Sequence, residues 1–311
     1  MAAVWSAAIP HLVGTADGIR AALTHDDTWR RTRTVAVADG RGVGTAVARM
    51  SRPPKAAINL AVHPETRGNG IGSALLEQAL DVALHGGADT VQSIANQDGL
   101  PFARRHGFAV TGEHYVSHLD TGAVRPPGTP PEGLELVRCD RLPNLDELRE
   151  THNLCAADDP SGHSETYSKE EFDERWWDSP ENAPDLSWAL LDDDTVAAFS
   201  NVQVDHDHAR AWSGMTATHP SYRQRGLAGW LKRVTLTELA AAGISDAWTA
   251  NDEANAPMLA VNAALGYRQV ASTYTGSPAP CEQSPGSVLA GPVPCRSRPH
   301  GWERQSRIRS R

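Results

Sequence analysis

The chain has 311 residues, of which 40% are hydrophobic and 22% charged. This is a globular composition, long enough for two α/β domains that each bury a core. No apolar run approaches the ~18–20 residues that span a bilayer. The opening MAAVWSAAIPHLVG lacks a basic leader, so neither a membrane segment nor a targeting signal is expected. The net charge of −9 argues against a nucleic-acid partner and suits a cationic one or plain solubility. Cys139, Cys155, Cys281 and Cys295 are far apart and form no C-x-x-C pair. That argues against a disulfide framework or a metal site and points to a reducing cytoplasm.

In chain order, the first ~33 residues show no opening strand followed by two helices. The run TVAVADGRGVGTAVARM reads as strand, Asp39-Gly40 turn, strand. A short apolar strand over 58–62 leads to a glycine loop and then to a helix over 73–84. Leu75, Leu76, Ala79, Leu80, Ala83 and Leu84 share one face of that helix, and Gly86-Gly87 ends it. Residues 121–133 hold four prolines and three glycines, the composition of a linker. A second series follows, with strands over 134–138, 187–191, 196–204 and 210–218 and helices over 142–155 and 169–177. A second glycine loop precedes a helix over 229–242, and strand 246–250, helix 256–265 and strand 267–274 complete the series. Residues 276–311 lack periodicity and read as a disordered tail. The expected organisation is a domain over 1–120, a linker over 121–133, a domain over 134–275 and a tail over 276–311. The expected fold is α/β with a mixed sheet in each of two tandem domains.

The two series repeat. His63-Pro64 and His219-Pro220 are 156 residues apart, as are Arg67 and Arg223, and Gly70 and Gly226. Asn96 and Asn255 are 159 apart, as are Gly107-Phe108 and Gly266-Tyr267, so one insertion of three residues separates the copies. The first loop reads Val62-His63-Pro64-Glu65-Thr66-Arg67-Gly68-Asn69-Gly70-Ile71-Gly72. The second reads Thr218-His219-Pro220-Ser221-Tyr222-Arg223-Gln224-Arg225-Gly226-Leu227-Ala228. Each follows a strand and opens a helix, whose first N–H groups lack internal partners and sit at the positive end of the helix dipole. Glycine lets the backbone approach an anion closely. No Gly-Lys-Ser/Thr follows, so neither loop is a nucleotide P-loop.

The pattern V/T-x-P-x-x-R-x-x-G-x-G/A, with a downstream asparagine and a closing Gly-Phe/Tyr, resembles the GNAT acetyltransferase superfamily. The resemblance covers roughly residues 34–120 and 134–274. It implies a strongly twisted mixed sheet, split between two central strands, with acetyl-CoA as cosubstrate in the split. Carried over residue by residue, the pyrophosphate would meet the amides of Arg67, Gly68, Asn69, Gly70, Ile71 and Gly72 in one half. In the other it would meet those of Gln224, Arg225, Gly226, Leu227 and Ala228, with Arg223 opening the loop. Val62 and Thr218 end the strands that would pair with the pantetheine arm, and Asn96 and Asn255 match the asparagine that binds it.

The family often places a tyrosine four residues before the closing glycine, as acid for the departing thiolate. Ala103 stands there in the first half and Asn262 in the second. The first half is therefore expected to hold the cofactor without chemistry, and the second to be catalytic. Candidate catalytic residues are Asn262, Tyr267 and Asp205, with Tyr222 and Tyr274 as further acids and His206, Asp207 and His208 as further bases. The stretch NLCAADDPSGHSETYSKEEFDERWW is the expected acceptor wall. In it Asp158, Asp159, Glu165 and Trp176 are the candidate substrate contacts, through carboxylate pairing or cation–π contact. The expected partner is a small cationic amine, such as an aminoglycoside or basic cyclic peptide antibiotic in a resistance role. A mycothiol-precursor amine and a non-catalytic acyl-CoA sensor are the alternatives.

Overall fold

The computed structural model describes residues 1–9, 11–24, 31–50, 55–159 and 164–278. Helices α1 (Ala2–Ala8) and α2 (Ala16–Thr24) open the chain, followed by strands β1 (Arg31–Ala38) and β2 (Arg41–Met50). Asp39 and Gly40 between them take positive φ of 49° and 75°, the twist a two-residue hairpin turn needs. β3 (Lys55–Val62), α3 (Ile71–His85), β4 (Thr90–Asn96), α4 (Leu100–Arg105) and β5 (Phe108–Asp120) complete the first series. The second comprises β6 (Glu135–Arg138), α5 (Leu145–Ala156), α6 (Lys169–Phe172), β7 (Trp188–Asp192), β8 (Thr195–Asp205) and β9 (Arg210–Thr218). It ends with α7 (Leu227–Ala241), β10 (Asp246–Asp252), α8 (Ala256–Leu265) and β11 (Arg268–Pro278).

These elements form two compact units that interleave along the chain. The first takes the described residues of 1–10, 25–113 and 273–278; the second takes 11–24 and the described residues of 114–272. In the first unit the strand order is β1-β2-β3-β4-β11. β4 pairs antiparallel with the end of β11, from Asn96↔Thr273 to Ser93↔Gly276. α3 lays Leu75, Leu76, Ala79 and Ala83 on this sheet, against Ala46, Ala48, Ala56, Ile58 and Val91.

In the second unit the order is β5-β10-β9-β8-β7-β6, with β5 entering through His114–Asp120. α7 covers one face, burying Leu227, Leu231, Val234, Leu236 and Leu239; each such side chain contributes roughly 1.5–3 kcal/mol. α5 and α6 cover the other, where Leu148 and Phe172 meet Phe199. Each repeat thus supplies its last strand, or part of it, to the other repeat's unit. The repeats are units of sequence, and the compact units differ from the halves 1–120 and 134–275 by this exchange.

Other boundaries also moved. Two helices occupy the N-terminus where none was expected. α1, which is rich in alanine and therefore in helix propensity, packs on β2 and β3. α2 belongs to the second unit, where Thr15 donates through N and Oγ1 to Glu181 Oε1 at 3.1 and 2.9 Å. Both helices are too short for a 3.6-residue period to show in sequence. The linker is docked: Thr121 is buried, with its hydroxyl on the Ile244 carbonyl at 2.6 Å, and Trp230 Nε1 donates to the Gly128 carbonyl at 3.1 Å. The expected tail begins inside β11, which runs to Pro278; 279–311 lie outside the described residues.

Candidate active site

Both units fork at the same place. Parallel β3 and β4 share only three register pairs, Lys55↔Thr90 to Ala57↔Gln92, and then part. β9 and β10 share Arg210↔Asp246 to Trp212↔Trp248 and then part. Beyond the forks, facing strand edges are left without strand-to-strand pairing, so each split offers main-chain donors and acceptors to an extended ligand.

The glycine loops sit at the open ends. In the first, Gly68 and Gly70 take φ of 82° and 78°; in the second, Gln224 and Gly226 take 64° and 75°. Gln224 therefore holds a left-handed conformation that costs a non-glycine residue roughly 1–2 kcal/mol. The first main-chain bond of α3 is Ala74 N–H to the Gly70 carbonyl, and that of α7 is Trp230 N–H to the Gly226 carbonyl. The amides of Ile71, Gly72 and Ser73, and of Leu227, Ala228 and Gly229, precede those bonds, and each trio is open to an anion. Arg67 Nε and Arg223 Nε donate back to the Val62 and Thr218 carbonyls at 3.4 and 3.2 Å, tying each loop to its strand.

The first unit has a cleft of about 520 Å³ along this split. Its lining includes the loop residues Arg67, Gly68, Gly70, Ile71 and Gly72, the strand ends Val62 and Asn96, and Ala8 and Ile9 from the α1 end. A Cβ on Gly72 would lie 3.1 Å from the Phe102 ring, so only glycine keeps this contact relaxed. Open amides, a forked strand edge and an apolar cleft suit a long ligand with an anionic end such as acetyl-CoA. Asn96 caps the turn that follows it and Asn255 the start of α8: Asn96 Oδ1 accepts from Gly99 N at 3.0 Å and Asn255 Oδ1 from Met258 N at 3.3 Å.

The catalytic candidates separate in space. Asn262 is buried; its Oδ1 accepts from Lys232 Nζ at 2.7 Å, and its Nδ2 donates to Asn251 Oδ1 at 2.6 Å. Tyr267 is buried too, with Lys232 Nζ 4.9 Å from its ring centroid. Burial raises the Tyr267 phenol far above its ordinary value and pushes the Lys232 ammonium down to about 7.

Asp205 is elsewhere. It lies at the hairpin end of β9's partner strand, while the loop follows Thr218 at the other end of β9, about 26 Å away along an extended strand. Its carboxylate accepts from His208 Nδ1 at 2.9 Å and from Arg210 Nε and Nη2 at 3.1 and 2.9 Å. Burial alone would raise the Asp205 carboxyl, but the His208 and Arg210 hydrogen bonds outweigh it and hold it below the usual range. The His206–His208 turn caps this hairpin, so the structure holds Asp205 in an ion pair at the hairpin, away from the glycine loop. Tyr222 Oη donates to Asp192 at 2.8 Å. Tyr274 falls in the first unit, opposite Ala95, whereas its repeat counterpart Tyr115 lies in the second, opposite Asn251.

The acceptor wall is partly self-paired. Asp158 accepts from Arg223 Nη2 at 2.7 Å, and Asp159 from Ser164 N and Oγ at 3.1 and 2.5 Å. Glu165 is half-buried beside them in sequence. Trp176 is half-buried against Phe172, His152 and Phe199, at ring distances of 4.8, 5.3 and 6.0 Å, so it braces the wall. Lys232, Asn251 and Tyr115 were missed in the sequence. A signal existed for Lys232: it interrupts the buried face of α7 and stands 156 residues after Leu76.

Forked sheets, each with an open-amide loop at the mouth, define an acyl-CoA-binding class of fold. The model of the acetyltransferase (GNAT) family matches residues 10–108 and 146–267. The chain belongs to the GNAT acetyltransferase family, as a tandem N-acetyltransferase. Among curated proteins it is similar to a mycothiol acetyltransferase of Nocardioides sp., 28% identical over 226 residues, covering 68% of this chain and 76% of that one. Among solved structures it resembles a tandem GNAT protein from the clavulanic acid biosynthesis pathway, with TM-score 0.67, 22% identity and coverage of 85% and 87% of the two chains. It also resembles a GCN5-related N-acetyltransferase from Sphaerobacter thermophilus, with TM-score 0.64, 18% identity and coverage of 89% and 90%. No helix among the described residues is long and apolar enough to cross a membrane.

Proposed function

We propose that the second unit transfers the acetyl group of acetyl-CoA to a primary amine of a small metabolite, and that the first unit binds acetyl-CoA without turning it over. The observation that carries this reading is the difference between the two slots. The first is floored by Leu76, Ala95, Ala103 and Phe108, none of which can move a proton. The second has Lys232, Asn251, Asn262 and Tyr267 at the corresponding places.

The chemistry needs no enzyme-bound acyl group. A neutral amine attacks the thioester carbon, and the fold supplies orientation and a main-chain N–H near the developing oxyanion. The first-formed nitrogen cation loses its proton to water or a nearby group.

For the acceptor, the similarity to a mycothiol acetyltransferase favours a mycothiol-precursor amine. The pairing of Asp158 with Arg223 and of Asp159 with Ser164 leaves fewer free carboxylates for a polycation. A polycationic antibiotic is the second reading, favoured by the net charge of −9. Mass spectrometry of products from an amine panel separates the two. Gly226→Trp and Gly70→Trp assign the working unit, because each puts a bulky side chain at a loop position whose positive φ, 75° and 78°, suits glycine. Turnover is expected to vanish in Gly226→Trp and survive in Gly70→Trp. The opposite result reverses the assignment, and binding without turnover for every amine makes the protein an acyl-CoA sensor.

A further inference from the structure

The internal repeat provides its own control. Leu76 and Lys232 are 156 residues apart, as are Ala95 and Asn251; Ala103 and Asn262 are 159 apart, as are Phe108 and Tyr267. β4 and β10 are both seven residues long and also start 156 apart, so the three extra residues fall between β10 and α8. Leu76 is 4% exposed and still lines the first cleft. Lys232, at 2% exposure, holds the corresponding place on α7.

A lysine in such a position is costly to bury, and this one is only partly satisfied. Of its three protons as an ammonium, one goes to Asn262 Oδ1, while the ring of Tyr267 offers a weak cation–π contact. The groups that face it are uncharged: Asn262 on α8, Asn251 behind it on β10, and the protonated phenol of Tyr267 before β11, which lies near Ser213 of β9. Burial is the single cause of its lowered value, with no charged neighbour contributing. A proton donor works best when its value lies near the working pH. The sequence has no tyrosine at the α8 position that would otherwise serve, because Asn262 stands there.

We propose that Lys232 is the proton donor to the sulfur that leaves in the second unit, with Asn262 orienting its ammonium. This rests on the reading that the second unit carries out acetyl transfer. The amine nitrogen bonds to the acyl carbon, the C–S bond breaks, and its electron pair goes to sulfur. The Lys232 ammonium gives sulfur a proton and becomes a neutral amine. The surplus proton on nitrogen passes to water, and Lys232 regains a proton from water, so the cycle closes with amide and free thiol.

The protein has three lysines, Lys55, Lys169 and Lys232, so carbon-13 lysine labelling gives three ε-carbon signals, which Lys232→Met assigns. One signal is expected to titrate near neutrality in the full chain and to move when CoA is added. Turnover in Lys232→Met is expected to fall by about 10²-fold or more. The alkaline fall in kcat seen in wild type, as the donor loses its proton, is expected to disappear. The pair Lys232→Leu with Asn262→Ala copies two of the four floor positions of the first unit and keeps the test valid if the single variant misfolds; it should bind CoA and not turn over. An ε-carbon that titrates in the ordinary lysine range overturns the proposal. So does a folded Lys232→Met that keeps wild-type kcat and its alkaline limb. Wild type that acetylates amines but is silenced by Gly70→Trp instead of Gly226→Trp overturns the underlying reading, and the donor with it.

Discussion

Arg223 on the second glycine loop and Asp158 just beyond the end of α5 meet at 2.7 Å, while the same guanidinium reaches the Thr218 carbonyl through Nε at 3.2 Å. One arginine thus joins the loop, the end of β9 and the acceptor segment. The pair is 42% and 55% exposed, so its contribution to stability is about 0.2–1 kcal/mol. Arg223→Ala is expected to raise the Kd for acetyl-CoA about tenfold with little change in melting temperature, because the loop loses its tie to the strand. Asp158→Asn should have a smaller effect on Kd. Calorimetric titration of both variants checks this, and equal loss in the two would assign the effect to the ion pair alone.

Cys155 is buried on α5 and donates to the Thr218 carbonyl at 3.3 Å. Burial raises its thiol value more than Arg223 lowers it, and the thiolate is the reactive form. Cys155→Ser is therefore expected to keep kcat within about twofold, and iodoacetamide at neutral pH should not inactivate the enzyme. An acetylated Cys155 trapped by mass spectrometry would establish the covalent route that the proposed chemistry leaves out.

Asp205 and Arg210 form a buried pair, 4% and 10% exposed in their side chains. Asp205→Asn removes a buried carboxylate that accepts two hydrogen bonds from Arg210 and is expected to cost roughly 3–5 kcal/mol in denaturant unfolding. In wild type the folded value lies below the ordinary 3.8, so this stabilisation is present above that value and lost as pH falls through the folded one. The kcat of folded Asp205→Asn should match wild type. A pH-dependent loss of kcat would restore Asp205 as a base.

Lys232 gives a pH dependence of the same sign in a higher window. Its ordinary value is 10.5 and its folded value about 7, so between these the unfolded chain holds a proton that the folded chain lacks. Stability therefore rises with pH across that window, by up to about 1.4 kcal/mol per pH unit. Below it, the full cost of charging a buried lysine is present. Lys232→Leu should exceed wild type in stability most at about pH 6, with the gap clearly narrower at about pH 9. Urea unfolding at the two pH values measures this, and a pH-independent gap would mean that Lys232 is not titrating in the folded state.

The exchange of strands between repeats explains what could be read early. Each loop, the Asp39-Gly40 turn and the helix over Leu75–Ala83 rest on residues close in sequence, where positive φ, helix capping and a 3.6-residue period leave local marks. The same holds for the repeat, whose loops reproduce the left-handed conformation at Gly68 and Gln224 and at Gly70 and Gly226. Sequence by itself therefore determined two GNAT loops in matching context. Tertiary structure decided which strand closes which sheet, placing Tyr115 against Asn251 and Tyr274 against Ala95. It also brought Lys232, Asn251 and Asn262 into one hydrogen-bonded group and kept Asp205, at the end of β8, beside the end of β9 that is far from the loop. Partners on separate elements are chosen by packing and by the need to satisfy buried polar groups, and neither leaves a local pattern along the chain.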